Sequence, residues 1–125
     1  MTENQIATIL VDIFLKVHRK LGPGLLESVY EEALAWELIQ EGFAVKRQEP
    51  VPIHYKGNLL ATPLRADLLV NDLVIVECKS VSKYTDIFEA QTLTYLRNLK
   101  LKLGLVINFG ERLVTEGVHR VVNGI

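Results

Sequence analysis

The sequence predicts an α/β domain in which a mixed central β-sheet is flanked by helices, and three features indicate this fold. Helical spacing of apolar residues fills the first third of the chain and returns at residues 85–99. Short β-rich runs separated by turn residues occupy the middle. A further apolar run follows the later helix, and a helix between two strands favours a parallel crossover within one sheet.

Two amphipathic helices are predicted at the start of the chain. Apolar residues recur at three- and four-residue steps from Asn4 to Leu21. Gly22-Pro23-Gly24 ends this helix, because proline lacks a backbone donor and glycine tolerates unusual dihedral angles. A second helix is expected from about Leu25 to Glu41, with Gly42 as its natural end. Trp36, within this helix, is expected in the core.

The middle of the chain predicts antiparallel strands. Residues 43–48 and 51–55 alternate in polarity and are predicted as two strands divided by Pro50. Lys56-Gly57-Asn58 then has the composition of a hairpin turn, so the chain is expected to fold back after it.

Four more strands and turns complete the predicted sheet. Leu64–Val70 and Leu73–Ser80 are β-rich runs joined by Asn71-Asp72, a polar pair suited to a tight turn. Lys102–Phe109 is largely apolar, which is typical of a strand buried on both faces. Glu116–Val122 is expected to add an edge strand.

Composition limits the class of protein. The 125 residues, 49% hydrophobic and 23% charged, fit one folded domain over residues 1–125 without a linker or internal repeat. A net charge of −1 is weak evidence against a protein that coats nucleic acid. No apolar run is long enough for a membrane span and no secretory signal is recognised. One cysteine, Cys78, cannot form an internal disulfide, so a cytoplasmic location is expected.

The histidines lack ligand spacing and are expected at or near the surface: His18, His54 and His119.

Three charged residues lie near one end of the two central strands. Side-chain alternation in Val74–Lys79 places Glu77 and Lys79 on one face. If Asn71-Asp72 makes the turn, antiparallel pairing brings Asp67 within cross-strand reach of Glu77. Charges in apolar strands are costly to bury unless they are paired or bind a metal, and two carboxylates suit Mg²⁺ or Mn²⁺. The alternative is an ordinary surface ion pair between Glu77 and Lys79.

Asp67, followed by Glu77-Cys78-Lys79 on the next strand, resembles the motif of the PD-(D/E)XK nuclease superfamily. The segment Gly24-Leu25-Leu26-Glu27-Ser28-Val29-Tyr30 is similar to the signature of its GxxExxY family. The strand motif alone is loose, but in order with GxxExxY it is specific, and the resemblance extends from the first helix to Phe109-Gly110. Ala66 stands where the motif has proline. The resemblance implies a restriction-endonuclease-like core, a mixed sheet flanked by helices.

The resemblance also implies a role for each residue of the motif. Asp67 and Glu77 would bind a divalent metal, the backbone carbonyl of Cys78 would complete the protein ligands, and Lys79 would orient or activate the attacking water. Glu27 corresponds to an acidic residue that reaches the metal site in many members; alternatively, it only favours the helix dipole. Without metal, these like charges should raise at least one carboxyl pKa.

Further candidates surround this centre. Tyr30 is among the substrate-binding candidates, although a core position from which it orients Glu27 is favoured.

Gln91 and Tyr95 lie four apart on one helix face and look like the Gln-plus-Tyr motif of exonuclease-like branches, with Gln91 catalytic and Tyr95 near the substrate. Without the resemblance, a boundary Gln and a half-buried Tyr would be the simpler interpretation. Arg65 and Lys83 flank the motif strands and are candidates for phosphate contacts.

These observations favour a Mg²⁺-dependent phosphodiesterase, a nuclease that hydrolyses DNA or RNA. A nuclease-fold module for nucleic-acid binding or protein regulation, with little or no catalysis, is the alternative, and the near-neutral charge and small size favour it. A third hypothesis is an enzyme that needs a partner protein or a homodimer to complete its groove. The sequence does not distinguish DNA from RNA.

Overall fold

The computed structural model describes residues 1–62, 64–112 and 116–124. Within these ranges the chain forms three helices and seven strands, and no helix has the length and apolarity needed to cross a membrane. The elements are α1 (Glu3–Leu21), α2 (Glu27–Gln40), β1 (Val45–Val51), β2 (His54–Tyr55), β3 (Asn58–Leu59), β4 (Leu64–Val70), β5 (Val74–Lys79), α3 (Ile87–Leu99), β6 (Leu103–Asn108) and β7 (Val118–Val122).

Five strands form one mixed sheet in the order β1-β4-β5-β6-β7. The pairing of β5 with β6 is parallel and the other three pairings are antiparallel, so α3 is the crossover between two parallel strands. β2 and β3 form a separate short hairpin. The predicted fold, a mixed sheet flanked by helices, is confirmed.

The predicted break at Pro50 is wrong. β1 continues through Pro50, which stands opposite Arg65 of β4, and ends at Val51. Proline is tolerated here because β1 is the edge of the sheet and one side of the strand has no ladder to complete. The second predicted strand, residues 51–55, is correspondingly reduced to His54–Tyr55.

Helices cover both faces of the sheet and bury a core on each. α1 and α2 pack against the face that carries Val74, Val76 and Cys78. α3 packs against the opposite face, where Ile75 and Val106 contribute to the second core. Side chains alternate along β5, so the thiol of Cys78 lies on the face covered by α1 and α2. Ile75, Glu77 and Lys79 lie on the opposite face.

Two expectations about large side chains are wrong. Trp36 is 60% exposed, because it lies on the side of α2 that faces away from the sheet. His18 is buried rather than superficial: its ring packs against Phe14 and Phe109, and Nε2 lies 2.8 Å from the carbonyl oxygen of Glu111.

Asn108, at the end of β6, fixes the segment that follows β5. Its buried side chain accepts the N–H groups of Val81 and Gly110 at 3.0 Å and donates to the carbonyl oxygen of Val81 at 3.0 Å. Phe109 donates its backbone N–H to the carbonyl oxygen of Lys79 at 2.8 Å. The backbone on both sides of Ser80 is thus anchored to the neighbouring strand end.

This anchor requires glycine at position 110. A Cβ atom there would lie 2.1 Å from the carbonyl oxygen of Val81. This is a backbone atom, so the main chain itself would have to shift to relieve the clash. We expect Gly110→Ala to lower the free energy of unfolding by about 3 kcal/mol, measured by urea denaturation. Gly57→Ala is the control: its φ of +79° makes alanine unfavourable, but no atom lies within 4 Å, so a loss of about 1 kcal/mol is expected. Equal losses in the two variants would contradict the close approach.

Candidate active site

The site lies where the β4–β5 ladder ends. The last backbone pair is Leu68 with Val76, and the same register places Asp67 opposite Glu77. Beyond the Leu68–Val76 pair, side-chain carboxylates accept the hydrogen bonds between β4 and β5. Asp67 Oδ2 accepts the N–H of Cys78 at 2.8 Å, and Glu77 Oε2 accepts the N–H of Asp67 at 2.7 Å. The predicted tight turn and the cross-strand approach of the two carboxylates are confirmed; their role as metal ligands remains a prediction.

The tight turn depends on two residues with left-handed backbone angles. Asn71 and Asp72 have φ values of 52° and 54°, and Leu73 donates its N–H to the carbonyl oxygen of Val70 at 3.0 Å. Asn and Asp tolerate this conformation better than most residues, and it matches the twist of a hairpin. The turn therefore sets the register that brings Asp67 opposite Glu77.

Glu77 is a buried carboxyl group with a strongly altered pKa. Its residue is 5% exposed, and burial raises the pKa to about 8, with a further increase from the negative charge of Asp67. The N–H donated by Asp67 and the ammonium of Lys79 act in the opposite direction but do not outweigh burial. The expected increase in a carboxyl pKa is found at Glu77, but its largest cause is burial, and the like charge of Asp67 comes second.

Lys79 is half-buried at the end of β5, and α3 contributes to its position. Its Nζ lies 4.7 Å from the centre of the Phe88 ring, a cation–π distance. Strand alternation places it on the same face as Glu77, and its charge lowers the pKa of that carboxyl group. The Lys79 ammonium group therefore lies on the same face of the sheet as the two carboxyl groups.

Sequence reasoning missed Glu31 and Gln48. Glu31 is 5% exposed, its Oε2 lies 3.0 Å from Arg47 Nη2, and its Oε1 accepts from Gln48 Nε2 at 2.6 Å. The same amide nitrogen lies 3.3 Å from Asp67 Oδ1, so Gln48 joins the α2 glutamate to the motif aspartate. The one available signal was that Glu31 follows Glu27 by one helical turn.

Glu27 lies beside the end of β5, and it is exposed. Its Oε2 accepts the N–H of Ser80 at 3.2 Å, and the Ser80 hydroxyl donates to the carbonyl oxygen of Leu25 at 2.8 Å. The start of α2 is thus attached to the residue that follows Lys79. Whether Glu27 ligates a metal remains a prediction.

The thiol of Cys78 is not suited to be a ligand. It is 1% exposed, and burial raises its pKa well above the ordinary value, with further increases from four carboxylates. Its backbone N–H is already donated to Asp67. The predicted ligand is the carbonyl oxygen of this residue, and that assignment remains a prediction.

The placement of Tyr30 among substrate-binding residues is wrong, because its side chain is fully buried. Its hydroxyl donates to the carbonyl oxygen of Gly22 at 2.5 Å and accepts the N–H of Leu25 at 3.1 Å. Its ring stacks on Phe109 with centroids 4.1 Å apart. Tyr30 therefore holds the α1–α2 loop that leads to Glu27, in agreement with the core position that the sequence favoured.

α3 places Tyr95 near the carboxylates and leaves Gln91 in solvent. Tyr95 is 7% exposed, and its pKa is raised by burial and by the charges of Glu77 and Asp67. Gln91 is exposed, and no hydrogen bond in the described part of the chain joins it to either carboxylate. Its catalytic role remains a prediction.

The two candidate phosphate contacts are both exposed. Arg65 donates from Nη1 to the backbone carbonyl of Gln48 at 3.2 Å, and the side chain of this same Gln48 contacts Asp67. Lys83 lies in the segment between β5 and α3, four residues after Lys79. Each is available to solvent at the same end of the sheet as the motif.

Few side chains are arranged to coordinate a metal at this site. Within the described ranges, no group of three or more His, Cys, Asp or Glu side chains is arranged to hold an ion. Asp67 and Glu77 each have one carboxylate oxygen that already accepts a backbone N–H.

A mixed sheet flanked by helices, with two carboxylates and a lysine at the end of its central hairpin, defines a nuclease-type α/β domain. A family model described as the PD-(D/E)XK nuclease superfamily matches residues 4–121, and the chain belongs to that superfamily. Comparisons with curated proteins and with solved structures gave no match.

The raised pKa of Glu77 predicts a pH-dependent cost to stability in the absence of metal. The folded state holds the Glu77 proton more tightly than the unfolded chain, whose carboxyl pKa is near 4.5, so stability falls as pH rises from that value to about 8. We expect Glu77→Gln, whose amide oxygen still accepts the Asp67 N–H, to stabilise the protein in EDTA by roughly 2–4 kcal/mol at pH 8.5. At pH 4 the two proteins should be nearly equal.

The measurement is urea denaturation of both proteins in EDTA at several pH values. Glu41→Gln, an exposed carboxylate at the end of α2, is the control and should leave the pH profile of the wild type unchanged. A Glu77→Gln profile parallel to that of the wild type would contradict the buried, protonated carboxyl group.

Proposed function

We propose that the chain is a divalent-metal-dependent phosphodiesterase that hydrolyses DNA or RNA, using Asp67, Glu77 and Lys79. The observation that supports this best is the meeting of Asp67 and the buried Glu77 across the end of the central hairpin, with Lys79 beside them. Membership of a nuclease superfamily supports the same reaction class. We further propose that the chain is a GxxExxY protein, on the basis of Gly24, Glu27 and Tyr30.

The residues fit a hard divalent cation. Burial and the charge of Asp67 raise the pKa of Glu77 to about 8 although the Lys79 ammonium lowers it, and a bound cation would favour the ionised carboxylate further. Asp67, Glu77 and the Cys78 carbonyl would hold Mg²⁺ or Mn²⁺, which usually keep several waters and need few protein carboxylates. Glu27 is an additional ligand in this proposal. Such an ion lowers the pKa of bound water and offsets charge that develops on the phosphodiester.

The remaining site residues would position the substrate and the attacking water. The Lys79 ammonium, held over Phe88, would donate a hydrogen bond to the water and favour its loss of a proton. Gln91 would contact the reacting group, with the phenol of Tyr95 supporting it from the same face of α3. Exposed Arg65 and Lys83 would contact the phosphates.

A nuclease-fold binding or regulatory module with little catalysis is the second candidate. The net charge of −1 and the exposed Gln91, which contacts neither carboxylate, favour it. It predicts nucleic-acid or protein binding without metal-dependent turnover. In either case we propose a cytoplasmic location, which suits the free thiol of Cys78.

Metal binding should be visible as thermal stabilisation. We expect saturating Mg²⁺ or Mn²⁺ to raise the melting temperature of the wild type by roughly 10 °C, since a ligand at 100 times its Kd adds about 2.7 kcal/mol. Asp67→Asn should show no such increase, because the variant lacks one ligand charge. Asp72→Asn, in the exposed turn, is the matched control and should respond like the wild type. An unchanged melting temperature of the wild type at millimolar metal would exclude the proposed site.

Lys79 should be required for turnover and not for metal binding. We expect Lys79→Ala to abolish Mg²⁺-dependent cleavage of single- and double-stranded substrates while the metal-induced thermal shift remains. Lys102→Ala, an exposed lysine before β6 at the opposite end of the sheet, should cleave like the wild type. A Lys79→Ala protein that is folded but no longer responds to metal would show that Lys79 supports the ion rather than the water.

A further inference from the structure

α2 is apolar on two opposite sides, and only one of them is covered. Its inner side buries Tyr30, Leu34 and Leu38 completely. Its outer side, together with the N-cap residue Leu26, exposes large apolar residues to solvent: Leu26 (74%), Val29 (42%), Trp36 (60%) and Ile39 (55%). A helix that is apolar all round is normally buried all round, so the outer side has the character of an interface.

The spacing of the outer residues indicates what would cover them. Leu26, Val29, Ala33 and Trp36 follow one another at steps of three, four and three residues. This alternation produces one straight seam along a helix and is typical of packing against another helix. Next to the seam, a groove of about 400 Å³ between α1 and α2 is lined by Val17 and Leu21 as well as by residues of the seam.

Charge on the two sides of the groove is arranged in opposite signs. α1 contributes Lys16 and Lys20, and α2 contributes Glu32 and Glu37. The internal pair Lys16–Glu37 is long at 3.8 Å, and the Lys16 side chain is 60% exposed. A two-fold axis along the groove would place the acidic α2 side of a second copy over the basic α1 side of the first, and the reverse. The charges of this surface are therefore complementary to those of a second copy in this orientation.

We propose that this outer α2 face, formed by the seam and the groove, is the interface of a homodimer. Trp36 of each copy would pack in the groove of the other, between its α1 and α2. Aromatic residues in such central apolar positions contribute most to association, and the flanking charges fix the orientation. The interface is on the face of the sheet opposite α3, so dimer formation is measured separately from metal binding and cleavage.

Trp36 is the only tryptophan of the chain and reports on this face directly. Sedimentation equilibrium of the full chain should give a dimer, and the Trp36 emission should move to longer wavelength on dilution as the ring becomes exposed. Val29→Glu should weaken the dimer by roughly a hundredfold or more and expose Trp36 at all concentrations. Leu59→Glu, a change at a residue 64% exposed on the β2–β3 hairpin, is the matched control and should leave the dimer intact.

Charge reversal tests the two-fold arrangement. K16E/K20E makes both sides of the groove acidic, and E32K/E37K makes both sides basic, so each variant alone should be monomeric. An equimolar mixture of the two should form a heterodimer, because an acidic face then meets a basic one. Circular dichroism shows that each variant is folded. A monomeric wild type with fully exposed Trp36, a dimer that Val29→Glu leaves unchanged, or a mixture that stays monomeric would overturn the proposal.

Discussion

Two reciprocal hydrogen bonds at the end of the central hairpin organise the rest of the molecule. Asp67 and Glu77 each accept a backbone N–H where the β4–β5 ladder has stopped, so the carboxylates replace backbone carbonyls as acceptors. This satisfies donors that would otherwise be buried without partners. The same arrangement buries the Glu77 carboxyl group away from water, and this burial raises its pKa. The pair therefore stabilises the strand ends through its hydrogen bonds and lowers stability through its buried charge.

Much of the fold follows from local sequence signals. The bounds of β4 are those predicted, Leu64–Val70, because alternation and a polar Asn71-Asp72 turn are properties of neighbouring residues. The parallel pairing of β5 with β6 follows from the crossover helix between them. The approach of Asp67 to Glu77 needs only the turn and a period of two, so this part of the site could also be predicted.

The parts that could not be predicted depend on contacts between distant segments. Pro50 is compatible with a strand only because β1 is an edge, and strand order is not visible in β1 itself. Trp36 is exposed because α2 is apolar on both sides, so periodicity could not indicate which side meets the sheet. Gln48 joins Glu31 to Asp67 from a backbone with φ of 52°, a conformation that its residue type does not suggest.

Cys78 lies behind the carboxylates, on the side of β5 covered by α1 and α2. Burial and four negative charges suppress its thiolate, the form that reacts with alkylating agents and disulfides. The sulfur can react only when the helices separate from the sheet or the strand itself opens. Its rate of modification in the native protein therefore measures how often this part of the structure opens, and ligands that hold β4 and β5 together would slow that rate. The reactivity of one thiol thus reports on local opening of the sheet directly beside the paired carboxyl groups.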